Sequence, residues 1–184
     1  QVQHLELARR IGRRFNTLIG EEYFPDVEAE LTEGKRIMSL ADPSQKMSKS
    51  LGAKHYVGLM EDPDTVWEKV RAAVTDSGQD IGGQMSPGVA NLFELLNLTG
   101  APPDVLQLFK DQHATGNIRY GDLKKAVHGN IVEALVPIQQ RRFAMSDETI
   151  SGILAEGAVR ASEIAQATML DVRSHVGIGG PRVS

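Results

Sequence analysis

Lys46-Met47-Ser48-Lys49-Ser50 sets two lysines and two serines within five residues, after the turn signal Asp42-Pro43 and before the flexible exit Gly52. Each lysine brings a compact charge with three rotatable donors, and each serine adds a short-range hydroxyl. That set suits the several negative oxygens of a triphosphate or a departing pyrophosphate, so the stretch reads as a loop that handles nucleotide phosphates. A solvated surface turn is the plainer reading of lysine and serine in a loop. The neighbouring words decide between the two.

Upstream, Gly34-Lys35-Arg36-Ile37-Met38-Ser39-Leu40-Ala41-Asp42-Pro43 runs straight into the loop, and Ala73-Val74-Thr75-Asp76-Ser77-Gly78 follows it after a helix-like segment. Together these words resemble the class I aminoacyl-tRNA synthetases, and within them the bacterial tryptophanyl enzymes. The five-residue motif by itself fits many class I enzymes, the tyrosyl ones included. The flanking words favour tryptophan.

The 184 residues are 41 % apolar and 24 % charged, ordinary values that allow one domain, or one domain with part of another, around a substantial core. The formal net charge of -4 argues against a nonspecific polyanion binder, so a tRNA partner would be met by local basic patches. The absence of cysteine excludes disulfides and cysteine–zinc sites. His4, His55, His113, His128 and His175 are too scattered to suggest a metal cluster, and no structural metal is expected. No signal-peptide pattern opens the chain and no apolar run reaches bilayer length, which makes a cytoplasmic protein with no membrane partner the expectation.

In chain order, Val2, Leu5, Ala8, Ile11, Phe15 and Leu18 recur at spacings of three and four, predicting a helix ended by Gly20 with Arg9, Arg10, Arg13 and Arg14 on its solvated side. Phe24-Pro25 favours extended backbone, Glu33-Gly34 offers a turn, and Arg36 to Leu40 reads as a short strand leading into the loop. Gly52 and Gly58 would let the loop close. From Asp62-Pro63 onward the pattern is helical: Val66, Val70 and Ala73 form the first stripe, beside Trp67, which reads as a packing residue. Ser77 to Gly83 is a glycine-rich loop without the context of a phosphate cradle.

Ser86-Pro87 opens a helix carrying Val89, Leu92, Phe93 and Leu96 to Gly100, and Pro102-Pro103-Asp104 opens a shorter one with Val105, Leu106 and Phe109. Leu123, Ala126, Val127, Ile131, Leu135 and Ile138 make the stripe of a long helix that Pro137 should kink. Ser146-Asp147 caps a last helix carrying Ile150, Leu154, Val159, Ile164, Thr168 and Val172. The tail from Gly177 is expected to fray.

Strand signals precede residue 60 and helices follow it, which puts a boundary near Gly52. The expected fold is mainly α. By the resemblance, residues 1–52 are the carboxyl-terminal remnant of a Rossmann-like α/β catalytic domain, and residues 53–184 an all-α helical bundle corresponding to an anticodon-binding domain. The resemblance further implies ATP-dependent activation of tryptophan and its transfer to tRNA(Trp), with Mg2+ entering as the ATP complex and an intact enzyme that is a homodimer. Lys46 and Lys49 would be the catalytic residues, meeting charge that builds on pyrophosphate. Met47, Ser48, Ser50 and Ile37 would complete the ATP site, the backbone near Ile37 and Met47 bracketing adenine. Gln1 would hold the α-amino end of the amino acid, and Lys124, Lys125, Arg141 and Arg142 are the candidate tRNA-facing cations. A fragment of a tyrosyl enzyme and a noncatalytic helical interaction domain are the alternatives.

Overall fold

The computed structural model describes residues 2–30, 36–75 and 85–178. Gln1, the turn at Glu33-Gly34, the Ser77–Gly83 loop and the tail beyond Ile178 lie outside the described residues. Six α-helices are described: α1 Val2–Ile19, α2 Pro63–Ala72, α3 Pro87–Leu98, α4 Pro103–Ala114, α5 Tyr120–Ala144 and α6 Asp147–His175. The chain divides into two compact units, residues 32–144 and residues 1–31 with 145–184. The first unit holds the lysine–serine loop together with α2 to α5. Leu40, from before the loop, is buried in the same core as Val66 and Val70 of α2.

The helix starts follow their caps. Asp62 accepts the Thr65 amide (2.9 Å), Ser86 the Val89 amide (3.4 Å) and Ser146 the Thr149 amide (3.1 Å), each satisfying a first-turn N–H that has no intrahelical partner. Proline at the first helical position of α2, α3 and α4 costs nothing there, because that N–H has no acceptor.

In the 32–144 unit, Leu123, Val127, Ile131 and Leu135 of α5 recur every four residues and are all buried, where α2 and α3 pack on the helix. Facing them are Val66 and Val70, and Val89, Leu92, Phe93, Leu95 and Leu96. Burial of one such side chain is worth about 1.5–3 kcal/mol. The stripe stops short of expectation: Ile138 is exposed, and α5 runs through Pro137 to Ala144. Three polar side chains of α5 bind backbone around α2. Lys124 donates to the carbonyls of Arg71 and Ala73 (both 2.8 Å), His128 donates to Pro63 O (2.9 Å), and Gln139 donates to Leu59 O and Glu61 O (both 2.9 Å). Trp67 packs beside His128, with ring centroids 5.4 Å apart.

The expected strand is corrected. Arg36 to Leu40 is extended but belongs to no sheet, and the β-pairing among the described residues is a single antiparallel bridge, Met38 with Lys46. The reason is a side chain. Asn91 of α3 takes both polar groups of the Met38 backbone, its Oδ1 accepting the amide (3.0 Å) and its Nδ2 donating to the carbonyl (2.9 Å), which leaves none for a second strand. The molecule is mainly helical, as expected from its sequence.

In the other unit, residues 21–30 fold back along α1. Asn16 accepts the amides of Tyr23 (3.2 Å) and Phe24 (2.9 Å) and donates to Phe24 O (2.8 Å), while Arg9 donates to Val27 O and Arg13 pairs with Asp26. The face of α1 that is partly covered is therefore Leu5, Arg9, Gly12, Phe15, Asn16 and Ile19. Ile11 and Leu18 of the expected stripe are 62 % and 70 % exposed, and Arg9 and Arg13, two of the expected solvated arginines, are tied to the returning segment. Phe15, Tyr23, Phe24 and His175 of α6 make an aromatic cluster with edge-to-face geometry, and Tyr23 donates to Asp171 (3.1 Å). No residue of α6 is buried among those described. Gly20 ends α1 at φ +76°, as its place in the sequence requires.

Candidate functional site

The lysine–serine loop stands on a tightly bonded base. On its entrance side, Ser39 N donates to Gln45 O (2.8 Å) and Met47 N to Ile37 O (3.0 Å). The Asp42-Pro43 turn is closed by the Asp42 carboxylate, which accepts the Ser44 hydroxyl (2.6 Å) and amide (3.1 Å) and the Gln45 side-chain amide (2.7 Å). Those donors, the Ser44 hydroxyl first, hold the Asp42 carboxyl below the usual aspartate range. The base is fixed to the helices by Asn91 and by Val74 N donating to Leu40 O (3.0 Å).

Within the loop, Ser48 caps a single 3-10 turn, Lys49–Leu51. Its hydroxyl lies 2.8 Å from that of Ser50 and accepts the Ser50 amide (3.3 Å). The two serines thus fix the loop's own shape. Lys46 and Lys49 are exposed and their side chains make no hydrogen bond or ion pair among the described residues, so both ammonium groups are available to an anion. Gly52 leaves the turn at φ +102°, ψ 168°, a backbone region open essentially to glycine alone. Met47 and Ile37 are joined through their backbones and both pack against the core as partly buried residues. The structure therefore brings Ile37, Lys46, Met47, Ser48, Lys49 and Ser50 into one place.

The four candidate tRNA-facing cations all lie on α5. Lys124 is committed to the end of α2, and partial burial lowers its pKa below the ordinary lysine value. Lys125 is exposed and lies 3.8 Å from Asp122, and Arg141 and Arg142 are exposed in the last turn of the helix.

Three features beside the loop escaped the sequence. Ser39 is fully buried and bonds His55 (2.8 Å); Asn91 is the clamp just described; and Lys69 pairs with Glu61, donates to Tyr56 O (3.0 Å) and lies 4.9 Å from the Tyr56 ring centroid. A cleft of about 570 Å³, lined by Ala41, Ala53, Lys54, Glu68, Lys69 and Arg71 among others, opens next to this cluster. Only the Asn91 position carried any advance signal, as an asparagine within an apolar helical run. No group of three or more metal-ligating side chains occurs among the described residues, and no described helix is long and apolar enough to cross a membrane.

Known proteins bear on this geometry. The chain is 38 % identical over 183 residues to a tryptophan–tRNA ligase of Caldanaerobacter subterraneus, covering 97 % of this chain and 54 % of that enzyme. It is 37 % identical over 182 residues to a tryptophan–tRNA ligase of Porphyromonas gingivalis, with 96 % and 54 % covered. A tryptophanyl-tRNA synthetase structure from Mycoplasma pneumoniae superposes with a TM-score of 0.80 at 29 % identity, over all of this chain and 56 % of the other. The chain thus spans about half the length of the relatives it matches. Residues 1–136, which include the whole lysine–serine loop and its base, match the model of the class I tRNA synthetases for tryptophan and tyrosine, and the chain belongs to that family.

Proposed function

We propose that this chain works as part of a tryptophan–tRNA ligase, in which Lys46 and Lys49 stabilise the pyrophosphate that leaves ATP when the tryptophan carboxylate attacks the α-phosphate. The observation that carries the reading is the loop itself: two exposed lysines with no partner among the described residues, on a base bonded at Ile37, Ser39 and Asn91, in a chain 38 % identical to such a ligase. Activation needs no strong side-chain nucleophile. It needs reactants in line and cations where charge develops, and one well-aimed donor is worth about 3–4 kcal/mol in the transition state.

In this reading ATP arrives as its Mg2+ complex, with the Met47 and Ile37 backbones beside adenine and Ser48 and Ser50 shaping the loop around the phosphates. Gln1 holds the amino end of tryptophan. Residues 1–52 belong to a Rossmann-like catalytic domain and residues 53–184 to the helical domain that meets tRNA(Trp), with Lys124, Lys125, Arg141 and Arg142 of α5 as the cations that face it. The working enzyme is a cytoplasmic homodimer.

The test is a chimera in which residues 1–184 replace the matching half of the Caldanaerobacter ligase. The expected result is exchange of pyrophosphate into ATP that depends on tryptophan, followed by charging of tRNA(Trp). A chimera that exchanged with tyrosine instead would make the chain part of a tyrosyl enzyme, and one that bound no nucleotide would leave a noncatalytic helical module.

A further inference from the structure

The loop's entrance is bonded by backbone, whereas its exit is held by side chains: Lys69 on the Tyr56 carbonyl and, one residue nearer the loop, Ser39 on His55. Ser39 Oγ is completely buried and lies within bonding distance of three groups: the amides of Ala41 (3.2 Å) and Asp42 (3.0 Å) and Nδ1 of His55 (2.8 Å). A serine hydroxyl has one proton and two lone pairs. The two amides are donors without choice, so they occupy both lone pairs, and the single hydroxyl proton is left for His55 Nδ1. That atom must then be the unprotonated, accepting nitrogen, which puts the ring proton on Nε2.

His55 ends the short 3-10 turn Ala53–His55 that begins directly after Gly52. Its bond to Ser39 therefore closes a loop from residue 39 to residue 55 and holds the segment that contains Lys49. Lys46 does not depend on this bond, because its neighbours are fixed by the Ile37–Met47 and Ser39–Gln45 bonds.

We infer that His55 is a positioning residue: as a neutral acceptor for Ser39 it anchors the exit of the lysine–serine loop and sets where Lys49 stands relative to Lys46. The consequence for catalysis rests on the function proposed above. The anchoring itself does not, and the test is chosen to separate them.

The test uses the labelled 184-residue chain without nucleotide. Long-range proton–nitrogen correlation of the imidazoles should show His55 as the Nε2–H tautomer in neutral solution. Backbone order parameters at Lys49, Leu51 and Lys54 should be near rigid values, about 0.85, and should fall below about 0.6 in His55→Phe. Met47 should keep its value in the same variant. His55→Asn, whose side-chain oxygen can accept from Ser39, should restore most of the order. An Nδ1–H tautomer would overturn the inference on the unaltered chain, whether or not a variant folds. Equal order in His55→Phe and the parent, or failure of His55→Asn to differ from His55→Phe, would overturn it as well. Failure of the loop to bind nucleotide would contradict the proposed function and leave these readings unchanged.

Discussion

Gly52 carries the loop's exit through a conformation that a Cβ opposes, although no atom stands within 4 Å of where that Cβ would lie. The cost of Gly52→Ala is therefore backbone strain alone, of order 1–3 kcal/mol. We expect this variant to lower Tm by a few degrees and to shift the amide resonances of Lys49 to His55 while leaving those of α3 and α5 in place. At the same scale, Asp26, Asp42 and Asp62 all have carboxyls held below the ordinary aspartate range, chiefly by Arg13, by the Ser44 hydroxyl and by the Thr65 amide respectively. A depressed carboxyl stabilises the fold fully above its unfolded value, near 3.9, and the contribution fades as pH falls through the lower folded value. Tm measured by circular dichroism should thus be flat from neutral pH to about 5 and decline below about 4. Residues acting on neighbours in sequence were legible beforehand: the caps at Asp62, Ser86 and Ser146 and the serines within the loop. Residues acting across the fold were not. Asn91 lies 53 positions from Met38 and Ser39 lies 16 from His55, and nothing local announces either pairing.

Among the elements, α3 depends on a close approach at its first turn. A Cβ on Gly88 would lie 2.2 Å from Val74 O and 2.9 Å from Thr75 O, and Ser86 donates to the same Thr75 carbonyl (2.7 Å). Backbone cannot yield as a flexible side chain would, so Gly88→Ala should displace the start of α3 and cost about 3 kcal/mol. The urea midpoint should fall accordingly with little change in the slope; an unchanged midpoint would mean that the approach is looser than it stands here. The helices were legible because proline, caps and a four-residue apolar repeat act within each segment. The strand was misread for the opposite reason: an extended segment becomes a strand only where backbone pairing continues along it, and here pairing stops at the single Met38–Lys46 bridge while Asn91 meets the other edge with a side chain. The apolar stripes of α1 and α6 were legible as helices but not as core. Leu18 at 70 % and Ile164 at 72 % exposure show that periodicity marks an amphipathic face without saying what covers it.

At the scale of the whole molecule, the proposed function makes the loop and its base one wall of an adenylation site. The proposed chemistry also requires ATP and tryptophan to be held in line, and a displacement of about 1 Å can cost a hundredfold in rate. The 184-residue chain by itself is thus expected to catalyse no tryptophan-dependent exchange of pyrophosphate into ATP above a Lys49→Ala control, although it carries both lysines. Joined to the other half of a ligase, the same lysines should matter greatly. The measurement that tests this most directly is single-turnover adenylation by the chimera with and without Lys49→Ala, alongside tryptophan affinity. Loss of a cation that meets charge formed in the transition state predicts a rate several hundredfold lower with tryptophan affinity nearly unchanged. Unchanged adenylation together with weakened tryptophan binding would contradict the role given to the loop.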